Sequence, residues 1–515
     1  MLRHRWKILM GIAVAFVVFI CIEVATIGNG PKKEVEAYKK SLIAQGEKLE
    51  ISELIPPPVP VEQNGADLVN QALGMLTQED NEDTNFVPAA TLVAPGKAMI
   101  CFEQPDIRGV YFTNSWSNET AIVDDDRPMI ELLTQASDYP ALDFRLDYRQ
   151  AFSVGAYILP LMYCVHRLSA AAVCDLHQGN VAAAVKNICV VLALVNGQQN
   201  CMQPYAQMLR VSMARSTADT TWELLQSRSL NDAELALVQS NWESLEFIRA
   251  MVNALSMERA GYDSEITKME TSSQYFGQEM SGFAPFESPD WSDGLGDVLH
   301  VLSDDAKLVF VRSAYKTSWI YSDELGMLQN DQLVLETIRE AATNQFFNPA
   351  YSNMLNQLRV RVAGKPDGLM IKLNSHEFYH FFSESSPYSA YVREIMTAEA
   401  TCRVTATGVA LKRYQLKHGK YPATLSDLVP EFISSIPRDP VDGKPLRYRL
   451  MADGSFLLYS IGENGRDDGG DGSTGRKSGR NFPSRWTERA ALDWVWPQPA
   501  TAAEIKYFYA HRSKP

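Results

Sequence analysis

The residues best suited to chemistry are His376-Glu377-Phe378-Tyr379-His380. On a helix, two imidazoles four residues apart share one face and can hold one Zn²⁺, while Glu377 is placed to act as general base on a metal-bound water. The flanking residues from 373 to 382 carry no other charge. A third ligand is needed, and Glu399 or Glu394 on a following helix lies at a plausible distance. Against this stands the shortness of the pattern, whose two free positions let it arise by chance. The Ser/Pro-rich stretch 383–387 also interrupts the helix soon after His380. Zinc peptidase chemistry is therefore the alternative reading rather than the main one. No G-x-S-x-G elbow, phosphate-binding glycine loop or kinase signature occurs elsewhere.

The scaffold that would carry such groups is large. At 515 residues the chain exceeds one ordinary domain of roughly 100–200 residues. Its 46% apolar content can build a substantial core, and its 21% charged content does not suit a disordered chain. The net charge of -14 and the lack of a basic stripe argue against nucleic acid as a partner. Apolar residues recur at three- and four-residue steps through 126–259, again from 300 to 358, and from 390 to 417, so we expect an all-α middle region. His177-Gln178-Gly179-Asn180 reads as a tight turn between two helices, with Gly179 ending one and Asn180 capping the next. Asn231 followed by Glu234 opens a further capped helix. The expected fold is mainly α: a transmembrane helix, a large helical hairpin or bundle region over 63–395, and a small α+β unit over 396–472. A tail follows over 473–515.

The N-terminus sets the compartment. Arg3, Arg5 and Lys7 precede an apolar stretch, 8–27, interrupted only by Glu23 near its outer end. About 20 residues suffice to span a bilayer, and the preceding positive charge keeps the N-terminus cytoplasmic. The competing reading is a cleaved signal peptide. Either exports the rest of the chain, and the anchor makes the membrane itself a partner through 8–27. A helix over 32–54 and the proline run Pro56, Pro57, Pro58, Pro60 form a stiff linker. Seven cysteines show no C-x-x-C pair, and Cys164, Cys174 and Cys189 sit in apolar helical text as small core residues.

The C-terminal unit has the densest landmarks. A helix with Ala400, Val404, Ala410 and Leu411 on one face stops at Gly419. There follow Tyr421-Pro422, Leu428-Val429-Pro430, Asp439-Pro440, Gly443-Lys444-Pro445-Leu446-Arg447-Tyr448 and Tyr459-Ser460-Ile461-Gly462. Two strands, 446–450 and 455–460, are joined by a turn with Gly454 at its positive-φ position. This order over 397–472 resembles the globular head of the major pseudopilin of type II secretion systems, as also found at the ends of large anchored proteins of planctomycete and verrucomicrobial type. The resemblance implies a small α+β head and a contact surface. It also implies a calcium loop, for which Asn464, Asp467, Asp468 and Asp471 would be the oxygen ligands. The chain departs from the family at its start, where Phe16 stands in place of the glutamate of the mature helix, and after the loop, where Ser473-Thr474-Gly475-Arg476-Lys477 replaces an acidic cluster. We therefore expect an anchored, non-enzymatic scaffold that contacts an envelope or secretion-machinery protein through this head. A third reading uses Trp486, Trp494 and Trp496 as an aromatic surface for polysaccharide; a strap packed on the core is the alternative for the same residues.

Overall fold

The computed structural model describes residues 30–76, 86–109, 112–149, 157–279, 320–363, 386–474, 485–488 and 491–511. The apolar run 8–27 and His376, Glu377 and His380 fall outside them. The described chain is mainly helical, with three small sheets.

Helix α1 (Gly30–Ala44) buries Val35 and Leu42, whose seven-residue spacing places both on one face. The helix packs along a later one, Ile320–Asn344, so the segment expected to form a stiff linker together with the proline run is docked on the body. Lys39 bridges Asp263 at 2.6 Å and Glu324. After a turn at Gly46, Glu47 receives Arg259 at 2.8 Å and also Arg339. These pairs hold the chain against the body before the proline run begins.

Helix α2 (Ala66–Leu73) leads to the hairpin β1 (Thr91–Ala94) and β2 (Lys97–Met99), then to the short pair β3 (Ile107–Arg108) and β4 (Thr113–Asn114). Helices α3 (Trp116–Asp125) and α4 (Arg127–Ala136) follow; the Ser115 hydroxyl caps α3 by accepting the Asn118 N–H at 3.2 Å. The central bundle comprises α5 (Ile158–Gln178), α6 (Val181–Gly197), α7 (Pro204–Gln226), α8 (Asp232–Glu243) and α9 (Ile248–Thr271). Among the described residues α5 is the one helix long and apolar enough to cross a membrane, but it is packed inside the bundle, with Leu161, Cys164, Leu168 and Ala172 fully buried. Gly179 ends α5 in the left-handed region, as its type predicts. Asn180 does not cap α6; its amide bonds to Gln178 Oε1 at 3.2 Å. Asn231 does cap α8, accepting the Glu234 N–H at 2.9 Å.

The short α10 (Ser273–Glu279) folds back on α9. Next come α11 (Ile320–Asn344), α12 (Ala350–Ala363) and the 33-residue α13 (Ser386–His418). Strands β5 (Arg447–Leu450) and β6 (Phe456–Ile461) form the predicted hairpin, turning at Gly454 with φ +84°. The tail supplies what the sequence reading did not foresee: β7 (Asp493–Val495) lies antiparallel on β6, with Ser460 opposite Trp494. Strand β8 (Gln498–Pro499) runs parallel to β2, and α14 (Ala502–His511) closes the chain. The C-terminal sheet is therefore β5-β6-β7, and its third strand comes from beyond residue 472.

One continuous hydrophobic core runs from the bundle into the C-terminal unit, because α13 serves both. That helix packs on α7 and α8, and its Val404 and Leu411 share the core with Leu428, Phe456 and Leu458. Small residues let α7 and α13 approach. Thr217, Thr221, Thr397 and Thr401 are buried, each giving its hydroxyl to the carbonyl four residues earlier, so their polar atoms are satisfied within the helix.

Candidate functional site

Arg447 organises the C-terminal unit. Its side chain, 13% exposed, leaves β5 between two aspartates and the glycine-rich loop. Nη1 donates to Asp439 at 2.7 Å and Nη2 to Asp442 at 2.6 Å, while Nε reaches Asp467 at 3.3 Å. Asp439 is fully buried and also accepts from the Ser460 hydroxyl at 2.8 Å and the N–H groups of Val441 and Ile461 at 2.9 Å. Burial pushes Asp442 upward, but its bonds from Arg447 outweigh this and hold it below the usual carboxylate range. A guanidinium offers five donors in a fixed fork, which is why one residue can join three carboxylates.

The four loop residues proposed as calcium ligands are placed as follows. Asp467 accepts the Tyr459 hydroxyl at 2.9 Å and the Gly469 N–H at 3.1 Å, besides Arg447. Asp468 receives the amide of Asn464 at 2.8 Å, and Asn464 Oδ1 accepts the Arg466 N–H at 2.8 Å. Asp471 accepts the Ser473 N–H at 2.8 Å. The loop is anchored from beneath by Asp493, fully buried on β7, which accepts the Gly470 N–H at 2.8 Å. Of these four residues, Asp467 is the one that meets Arg447. Among the described residues no group of three or more His, Cys, Asp or Glu is placed to hold a metal ion.

Glu399, the proposed third zinc ligand, lies on α13 with its carboxylate 2.9 Å from Arg403, one turn on. Arg403 in turn donates to the carbonyls of Gln345 and Arg438, so this pair joins α13 to the C-terminal unit. Glu394 faces elsewhere, 2.9 Å from Arg215 of α7.

That Arg215–Glu394 pair belongs to an interior polar cluster which sequence reasoning missed. Arg215 also donates to the Thr487 carbonyl at 3.1 Å. Arg485 reaches the Ser216 hydroxyl at 3.4 Å. His166 on α5 stacks on Phe86 at 3.9 Å between ring centres, and burial with help from Arg485 lowers it to about 4, so it is neutral near pH 7. Burial raises Asp219 to about 6, opposed by Arg485 and Arg215. These residues lie at 166, 215, 219, 394 and 485, and only the line Arg215, Asp219, Glu223 along α7 hinted at them. The Arg215 bond to Thr487 and the Arg485 bond to Ser216 tie residues 485–488 to the bundle. One turn further, Glu223 accepts the N–H groups of Ala90 at 2.9 Å and Cys101 at 3.0 Å, clamping the β1–β2 hairpin onto α7; burial pushes it up to about 8.

A second carboxylate, half-buried, gives a measurable signature. Glu258 of α9 meets the Tyr391 hydroxyl of α13 at 3.4 Å. Burial, together with Asp331 of α11, pushes Glu258 up to about 8. A carboxyl raised in the folded state favours the protonated form there. Its contribution to stability is complete below its unfolded value of 4.5 and is lost as pH rises through about 8. Glu258 and Glu223 together should make the urea midpoint fall steadily between pH 5 and pH 8. Each such carboxyl contributes a slope of up to about 1.4 kcal/mol per pH unit. In Glu258→Gln one proton's worth of that slope should vanish; an unchanged slope would mean that Glu258 is ionised in the fold.

The aromatic tail is internal. Trp486, Trp494 and Trp496 are all buried, and the Trp222 indole donates to the Pro497 carbonyl at 2.8 Å. This corrects the reading of these tryptophans as a stacking surface: they pack as a strap. The six described cysteines are unpaired; Cys164 and Cys174 are buried as expected, and Cys189 is partly so. No family model, curated protein or solved structure matches this chain.

Proposed function

We propose that this protein is a non-enzymatic, membrane-anchored scaffold whose helical body stands outside the cytoplasm and presents a pseudopilin-like head to an envelope or secretion-machinery partner. The anchor is the apolar run 8–27, with the N-terminus in the cytoplasm. Supporting the scaffold reading is the use made of buried charge: Arg447, Arg259, Arg215, Glu223 and Asp493 each bind the protein's own carboxylates or backbone. The head resemblance is carried by the landmarks over 397–472, and the shared core along α13 makes that head an integral end of the body.

The hairpin tip is where a partner would be read. Leu450 and Met451 are exposed there, at the far end of β5. A photo-crosslinking residue at position 450, used in membranes, should yield a discrete adduct with an envelope protein, and one at the exposed Asp67 should not. The absence of any adduct specific to position 450 would count against this contact. Elemental analysis of the dialysed protein tests the calcium proposed for Asn464, Asp467, Asp468 and Asp471.

A further inference from the structure

We infer that the body is held at a fixed attitude to the bilayer, with the end formed by the start of α1, the C-terminus of α9 and the N-terminus of α11 lying against the lipid headgroups and the head standing off from it. This rests on the anchor reading proposed above and adds to it an interaction surface whose partner is the lipid surface.

Chain reach carries the argument. Only Gly28 and Asn29 lie between the apolar run 8–27 and α1 at Gly30, a span of about 10 Å even when fully extended. A free linker after that point would let the body take any orientation. Instead α1 is fastened along its length. Lys32 lies over the Tyr321 ring at 5.5 Å, Lys39 bridges Asp263 and Glu324, and Glu47 holds Arg259 and Arg339. From Lys32 through Lys39 to Glu47, which lies three residues past α1, the partners step forwards along α11 from Tyr321 to Glu324 to Arg339, and from Lys39 to Glu47 they step backwards along α9 from Asp263 to Arg259. The chain thus runs antiparallel to one and parallel to the other, and Lys32 lies over Tyr321 of α11 and close to Glu270 of α9.

The chemistry of that end suits a headgroup region. A small apolar cluster, separate from the main core, lies towards that end, with half-buried Tyr38, Tyr262, Tyr275 and Tyr321 packed against it. Tyrosine, with an apolar body and a polar tip, favours the membrane–water interface. The opposite end of α11 meets the head. The Phe347 N–H donates to the Pro440 carbonyl at 2.8 Å and Asn348 to Val441 at 2.9 Å, while the Tyr351 hydroxyl bonds to Glu463 at 2.8 Å. The 25 residues of α11 separate the two ends by about 36 Å.

The test places a small fluorophore on the full chain, in vesicles containing headgroup-nitroxide lipid. The positions are Gln274→Cys, exposed in the first turn of α10, and Asn344→Cys, exposed at the far end of α11. The parent chain's own labelling is subtracted. Emission should be lost at 274 and retained at 344. Equal loss at both sites, or loss at 344 alone, in chains that resist alkaline extraction would overturn the fixed attitude while leaving the anchor standing. Chains that fail to float with the vesicles at all would overturn the anchor, and this inference with it.

Discussion

Arg447→Met should destabilise the C-terminal unit by about 3–5 kcal/mol, the range found when one member of a buried ion pair is removed. The cost arises from what is left behind. Asp439 is fully buried, and in the variant only Ser460 and two backbone N–H groups would face its charge. Asp442 and Asp467 would also lose their shared counter-ion, and three carboxylates would be left without the cation that joins them. Arg447→Lys should recover only a fraction, because an ammonium is a point charge and cannot reach three carboxylates at fixed fork angles. The informative variant is the double one, Arg447→Met with Asp439→Asn. It removes the orphaned charge and should regain part of the loss, as replacing both members of a buried pair often does. Urea unfolding followed by tryptophan emission reads all three. If Arg447→Met shifts the midpoint no more than an exposed substitution, the loop is held by something other than this arginine.

Much of the architecture could be read from residue order. The helical periodicity of 126–259 became a buried bundle, Gly179 and Gly454 took the left-handed conformations that their turns require, and Asn231 capped its helix. What could not be read depended on distant partners. Nothing local to Lys39 or Glu47 reveals Asp263, Arg259 or Arg339, so the sequence shows α1 as a helix but not that ion pairs fasten it to the body. The same holds for the polar cluster on α7, whose members are separated by up to 319 positions, from 166 to 485. Strand β7 was illegible for a different reason. Three residues with two tryptophans nearby carry no alternation to count, and the segment becomes a strand only because β6 offers it an edge. The loop 464–471 shows a further limit: its composition suggests ligands for a cation, and the arginine that meets Asp467 lies 20 residues upstream on another strand.

Trp494→Ala should cost about 3–5 kcal/mol, as expected for emptying a large aromatic site in a closed core. Trp494 is fully buried on β7, opposite Ser460, and its indole donates to the Glu488 carbonyl at 3.2 Å. Its loss would open a cavity and unseat the strand that carries Asp493, the residue beneath the glycine loop. The variant should therefore loosen the loop as well as the core, with faster hydrogen exchange at Gly470, whose N–H Asp493 accepts. Tyr507→Ala is the control. That ring is 65% exposed on α14, and its removal should stay within about 0.5 kcal/mol. The comparison separates the two uses that tail aromatics can have. A ligand-stacking surface would be silent in unfolding and would change only binding, whereas a strap shows its whole effect in stability. The same logic fixes where the C-terminal unit ends. A chain stopped at residue 472 would keep every landmark of the 397–472 pattern but lose β7, leaving one edge of β6 unpaired and the apolar residues under Trp494 and Trp496 open to water. Such a chain should not form a stable head, and a cooperative, native-like unfolding transition from it would show that the strap is dispensable.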